Sequence, residues 1–235
     1  MKKPTFSDWL RESLLFVAYG PMIWLSYSVC VGVLMTMGKT SLLLGIVFSV
    51  TSLFVGVGVA KYIDLKYSVE TTVTLPWAIK KSLPLAILAA VTIVVFWFIF
   101  MVLAYVLMDE LYKVGQFFFY WELTPQNIEY RSGREIAMWV YAYADVTLMF
   151  TVLMVTTFAS WFSYPLMLFK DYSWSQAREQ GNYIVSRNQK AVYKMVGFII
   201  LEALLCTTVT PLLTPVLYML TSTMMYVSYR ALFEP

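Results

Sequence analysis

The sequence predicts an all-α integral membrane protein of about six transmembrane helices, with short interfacial helices in the cytoplasmic loops. Three observations carry that expectation. The chain has 235 residues, of which 60% are hydrophobic and 13% charged, a balance that no water-soluble domain shows. Its mean hydropathy is +0.69. Apolar runs with at most two charges recur at about 14–37, 41–63, 83–108, 138–169, 192–210 and 211–230. Crossing a hydrocarbon core of roughly 30 Å takes about 20 apolar residues, so each run is long enough and the chain is filled by six. A single polytopic domain over residues 1–235 is expected.

The first run follows Met1-Lys2-Lys3-Pro4 and is too long for a cleaved leader, so it reads as a retained span. Thr5-x-x-Asp8 is a possible cap for a short helix ahead of it, before Trp9 and Leu10. The last two runs are divided only by Thr210-Pro211, and the missing proline donor favours a turn between two spans over one overlong helix. Between runs four and five, Ser173-Trp174-Ser175-Gln176 has the capping-box pattern, and Trp174, Ala177, Gly181, Ile184 and Val185 share one stripe. That is the pattern of a helix lying on the cytoplasmic leaflet, or of one that docks a partner.

Of the 17 Lys and Arg residues, all but Lys39, Lys113, Arg131 and Arg134 fall on the side that holds both termini. The positive-inside rule makes that side cytoplasmic.

The C-terminal third contains Phe169-Lys170-Asp171-Tyr172-Ser173-Trp174-Ser175-Gln176-Ala177, then Ser186-Arg187-Asn188, then a hydrophobic pair with Pro211 and Pro215, and ends in Tyr229-Arg230-Ala231-Leu232-Phe233. This resembles a large, mostly uncharacterised group of six-helix bacterial inner-membrane proteins, related to the membrane domain of some glycerophosphodiester phosphodiesterases. The resemblance spans residues 60–235 at the level of pattern. It implies a six-helix membrane fold in a bacterial inner (plasma) membrane and brings no catalytic residues with it. The phosphodiesterase domain of those relatives has no counterpart in the sequence.

No phosphate loop, dinucleotide fingerprint, zinc-protease motif, paired CxxC or nucleophile elbow is present in a credible context. Histidine is absent, which removes the commonest metal ligand and general base, and neither metal nor cofactor is expected. Cys30 and Cys206 both sit in apolar runs and read as small buried hydrophobes.

Two acidic residues lie within apolar runs. Asp145 is 24 residues from Phe169, about 36 Å along a straight helix, so it is expected at the outer headgroups as a solvated span end. Glu202 follows Lys194 by 8 residues, about 12 Å, which puts it near the midplane. A midplane carboxylate is costly unless it is protonated, paired or hydrated. Its expected neighbours are neutral: Ser26, Tyr27, Ser28, Thr51, Ser52, Thr221, Ser222 and Thr223. A protonated structural donor, a proton or cation site, and a lipid or partner contact all remain open for it.

Phe117, Phe118, Phe119, Tyr120 and Trp121 form an aromatic block in the outer loop, suited to the lipid interface or to a partner surface. Ser52, Gly56 and Ala60 recur every fourth residue in the second run, letting another helix approach, within the monomer or across a subunit interface.

The expected function is therefore that of a non-enzymatic inner-membrane subunit or accessory protein acting through protein or lipid contacts. Its partners would be the bilayer and other membrane subunits or copies of itself, and not nucleic acid. Two alternatives stand beside it: a small-solute or ion transporter or channel using the midplane carboxylate, and a membrane-embedded sensor or immunity protein.

Overall fold

The computed structural model describes residues 5–67, 74–108 and 132–234. The aromatic block at 117–121 lies outside these. The described residues form nine α-helices: α1 (Phe6–Tyr19), α2 (Pro21–Thr36), α3 (Leu42–Tyr67), α4 (Leu75–Leu107), α5 (Gly133–Phe158), α6 (Ser163–Lys170), α7 (Trp174–Arg187), α8 (Gln189–Thr208) and α9 (Thr214–Phe233). Short 3-10 turns lie at Met37–Lys39 and Pro211–Leu213. Five segments are long and apolar enough to cross a membrane: Pro21–Lys39, α3, α4, α5 and α8. The chain is thus a polytopic α-helical membrane protein.

Two of the expected spans are broken rather than continuous, and proline explains both. The run at 14–37 divides at Gly20, because Pro21 has no N–H to give Val17 and its ring would strike that carbonyl. Gly20 N–H caps Val17 O instead, at 3.4 Å. The run at 138–169 divides at Ala159–Phe162, where Pro165 cannot continue a helix through Trp161. In α6 that proline falls in the first turn, where the donor would have been unpaired anyway. The break removes the straight-helix premise that carried Asp145 out to the headgroups.

The expected caps form. Asp8 N–H donates to Thr5 Oγ1 at 3.3 Å and Thr5 N–H to Asp8 Oδ2 at 2.9 Å. Ser173 and Gln176 make the same reciprocal pair at the start of α7. Ala177 and Gly181 on its stripe are buried, and a Cβ on Gly181 would lie 2.5 Å from Ser160 Oγ. The stripe therefore lies across the break between α5 and α6. Trp174, expected on the same stripe, is exposed.

The last helix, α9, has 20 residues and is not among the five apolar spans, yet every residue from Thr221 to Tyr229 is buried. It packs against α1, α2, α3, α5, α6 and α8. A helix shielded from lipid by its neighbours can carry hydroxyls, provided they find acceptors. Tyr218 donates to Ala144 O at 2.7 Å, Ser222 to Leu53 O at 2.7 Å, and Ser228 accepts from Trp161 Nε1 at 3.1 Å. Peripheral α4 is the opposite: the most apolar segment, it packs on α3 and α6 and buries only a small part of its surface.

The stripe Ser52, Gly56 and Ala60 is buried within this one chain. Tyr27 of α2 and Ser222 of α9 close over Gly56. Its role in the monomer is close internal packing. Cys206 is buried as expected, while Cys30 is exposed on α2, and both are free thiols.

Candidate functional site

Three constellations are candidates, at the turn between α8 and α9, at the end of the bundle that bears both termini, and in a lateral groove beside α4.

At the first, Asp145 of α5 is fully buried and not solvated. Its Oδ2 is within hydrogen-bond distance of Thr214 Oγ1 at 3.1 Å and of Thr207 Oγ1 at 3.3 Å. The two threonines bracket the Pro211 turn, so one carboxyl group fastens both ends of that turn to α5. Thr207 has one hydroxyl proton and also lies 2.9 Å from Ala203 O. Asp145 Oδ1 has no hydrogen-bond partner among the described residues.

Glu202 lies elsewhere on α8, half-buried, and no hydrogen bond or ion pair joins it to another described residue. Of the hydroxyls expected around it, those of Thr51 and Thr221 are buried without a hydrogen-bond partner among the described residues, and others are engaged elsewhere. Ser26 donates to Met22 O, Tyr27 to Ser52 O, Ser28 to Met219 Sδ, and Thr223 to Met219 O. The buried carboxyl with hydroxyl company is Asp145.

The second constellation escaped sequence reasoning. Arg230 of α9 donates to Asp64 of α3 at 2.7 Å and to Glu12 of α1. Tyr226 donates to the other Asp64 oxygen at 2.6 Å. Beside them Lys61 pairs with Glu234 at 2.7 Å, and Tyr229 donates to Glu234 at 3.1 Å. In the sequence Arg230 is only one more cationic residue at a span end. Three helices far apart in sequence meet on it, and each charged group is partly exposed while Tyr226 and Tyr229 are buried, so the cluster reads as a structural clamp.

The third is a groove of about 470 Å³ between α3, α4, α5 and α6. The aromatic pairs Phe96–Phe158 and Trp97–Phe150, with ring centroids 5.0 and 4.8 Å apart, bridge α4 to α5 across its upper end. Met167 and Trp174 line the lower end. Its polar side chains are already bonded within the protein. Thr92 donates to Leu88 O at 2.9 Å, Ser163 to Ala177 O at 3.5 Å and Tyr164 to Ser82 O at 3.3 Å. The groove offers its occupant hydrocarbon contact and almost no unmet polar group.

Among the described residues no three His, Cys, Asp or Glu side chains converge on a metal position. Comparison with protein-family models, with curated proteins and with solved structures finds no match for this chain. The functional reading therefore rests on the chain's own residues.

Proposed function

We propose that this chain is a non-enzymatic membrane accessory protein that works through lipid contact, with the groove beside α4 as its binding surface. The observation that carries this is the groove's chemistry: apolar walls whose few hydroxyls are satisfied internally. Its volume falls within the range of roughly 300–1,000 Å³ of small-molecule sites. Leu88 of α4 and Phe158 of α5, which line it, are exposed. In a membrane that rim stands in acyl chains, so a lipid tail is the occupant that reaches it without crossing water. A six-span arrangement with α9 as the central span, and α7 lying at the interface, belongs to the same proposal.

The test is lipid retained through purification in mild detergent, read by native mass spectrometry. Ala89→Phe places a ring in the groove and is expected to empty it while the protein stays folded. Lipid retained equally by the variant, or a protein helix found crosslinked there instead, overturns the reading.

A second reading, cation or proton transport, is favoured by Asp145, whose Oδ1 is buried without a partner among the described residues. In that case the wild type reconstituted in vesicles dissipates an imposed gradient and Asp145→Asn does not. Equal leak from both sinks it.

A further inference from the structure

Directly below the groove, toward the end bearing both termini, lies a second cavity of about 240 Å³. Three of the groove's four helices build it: Lys61 and Tyr62 from α3, Trp77 and Lys81 from α4, and Phe169 from α6, with Glu234 also lining it. On α4, Lys81 precedes the groove residue Leu85 by one turn, about 6 Å of helix rise. Tyr164, which lines the groove, reaches Ser82 O at 3.3 Å, so the two cavities follow one another along α4 with that contact between them. An apolar slot continued by a basic, aromatic pocket has the outline of a glycerophospholipid.

The charges say which kind. Glu234 already takes Lys61 at 2.7 Å and the Tyr229 hydroxyl at 3.1 Å, so it offers little to the ammonium of a zwitterionic headgroup. Lys81 is exposed, lies 5.6 Å from the centroid of the Trp77 ring and forms no ion pair with a described carboxylate. Lys66, Lys80 and Lys170 adjoin the lining residues Leu65, Lys81 and Phe169 in sequence, which adds positive charge on the same three helices. We infer that the cavity around Lys81 holds the phosphate of an anionic glycerophospholipid whose acyl chain fills the groove beside α4. The inference rests on the groove reading and adds headgroup selectivity to it.

The experiment incubates the purified full chain with an equimolar mixture of dioleoyl phosphatidylglycerol and dioleoyl phosphatidylcholine, and reads bound lipid by native mass spectrometry. Phosphatidylglycerol is expected in excess. Lys81→Gln keeps the apolar stem and removes the charge, and should lower that preference about fivefold, the change equivalent to about 1 kcal/mol per basic residue near a membrane surface. Lys190→Gln removes an exposed charge from α8, away from the cavity, and should leave the preference unchanged. If both lipids bind equally and Ala89→Phe releases both, the groove stands and the headgroup inference falls. If Lys190→Gln lowers the preference as much as Lys81→Gln, the attraction is a diffuse surface charge and the inference also falls. If the wild type retains neither lipid, the groove reading fails and takes this one with it.

Discussion

Adding one methyl group at Gly56 tests the closest approach in the bundle. A Cβ there would overlap Ser222 Oγ, and would stand 2.5 Å from the Tyr27 hydroxyl and 2.7 Å from Ser222 Cβ. Neither neighbour is free to swing aside. Tyr27 donates to Ser52 O at 2.7 Å, and Ser222 lies 2.7 Å from Leu53 O and 2.8 Å from Tyr218 O. Forcing the helices apart costs about 1–3 kcal/mol as overpacking. Each interhelical hydrogen bond weakened in a membrane protein adds about 0.6 kcal/mol, while the better helix propensity of alanine returns about 1 kcal/mol. Gly56→Ala is therefore expected to destabilise by about 1–3 kcal/mol, the sum of these effects. Gly197 supplies the control, since nothing lies within 4 Å of a Cβ built on it. Gly197→Ala should be neutral or stabilising by up to about 1 kcal/mol. The assay is unfolding by sodium dodecyl sulfate in mixed micelles, followed by tryptophan fluorescence. Ser222→Gly in the Gly56→Ala background should recover part of the loss, because it removes both overlapping atoms. Equal midpoints for Gly56→Ala and the wild type would refute the packing. A loss that varied with protein concentration would move the stripe to a subunit interface.

Two further outcomes use the same assay. Arg230→Gln leaves Glu12 and Asp64 facing each other without their cation; removing one partner of a buried pair costs about 3–5 kcal/mol and an exposed pair is worth about 0–1, so these partly exposed groups should lose about 1–3. A wild-type midpoint would show that Arg230 is no clamp. Glu202→Gln changes a half-buried group with no bonded partner and should stay within about 0.5 kcal/mol of wild type; a larger loss would reveal a contact the structure does not contain.

The positions of the helices were legible because each apolar run had to be long, and because Thr5, Asp8, Ser173 and Gln176 write their caps locally. The breaks were harder. Hydropathy runs unbroken through Ala159, Trp161 and Phe162, so only the backbone chemistry of Pro165 separates α5 from α6. Asp145 is buried rather than solvated because Thr207 and Thr214, at either side of the Pro211 turn, close on it, a contact that no local pattern announces. Glu202 was placed by counting along α8, which is continuous, but the count says nothing about which side of the helix finds partners. The clamp on Arg230 was invisible, because residues 12, 64 and 230 share no local pattern and charges at span ends look solvated one at a time.

The groove was illegible for a deeper reason. In water an apolar face marks the core, but in lipid the face toward a neighbouring helix and the face toward the bilayer are both apolar. What separates them here is hydroxyl density. Helix α9 carries Thr221, Ser222, Thr223, Tyr226 and Ser228, all buried: Ser222 and Tyr226 donate to neighbouring helices, Thr223 and Ser228 bond back to α9, and its neighbours exclude lipid from all five, which places it at the centre. Helix α4 beyond Pro84 carries only two hydroxyls, Thr92, bonded back to its own turn, and Tyr105 near its far end, and that places it at the rim. It reaches α5 through aromatic rings rather than through close backbone contact, so the space beneath those rings is left for something else to fill. Residues that hold the bundle together are therefore polar and central, and the surface left for recognition is apolar and peripheral. Its only selectivity must come from the charged pocket at its end, where Lys81 stands one turn below the groove.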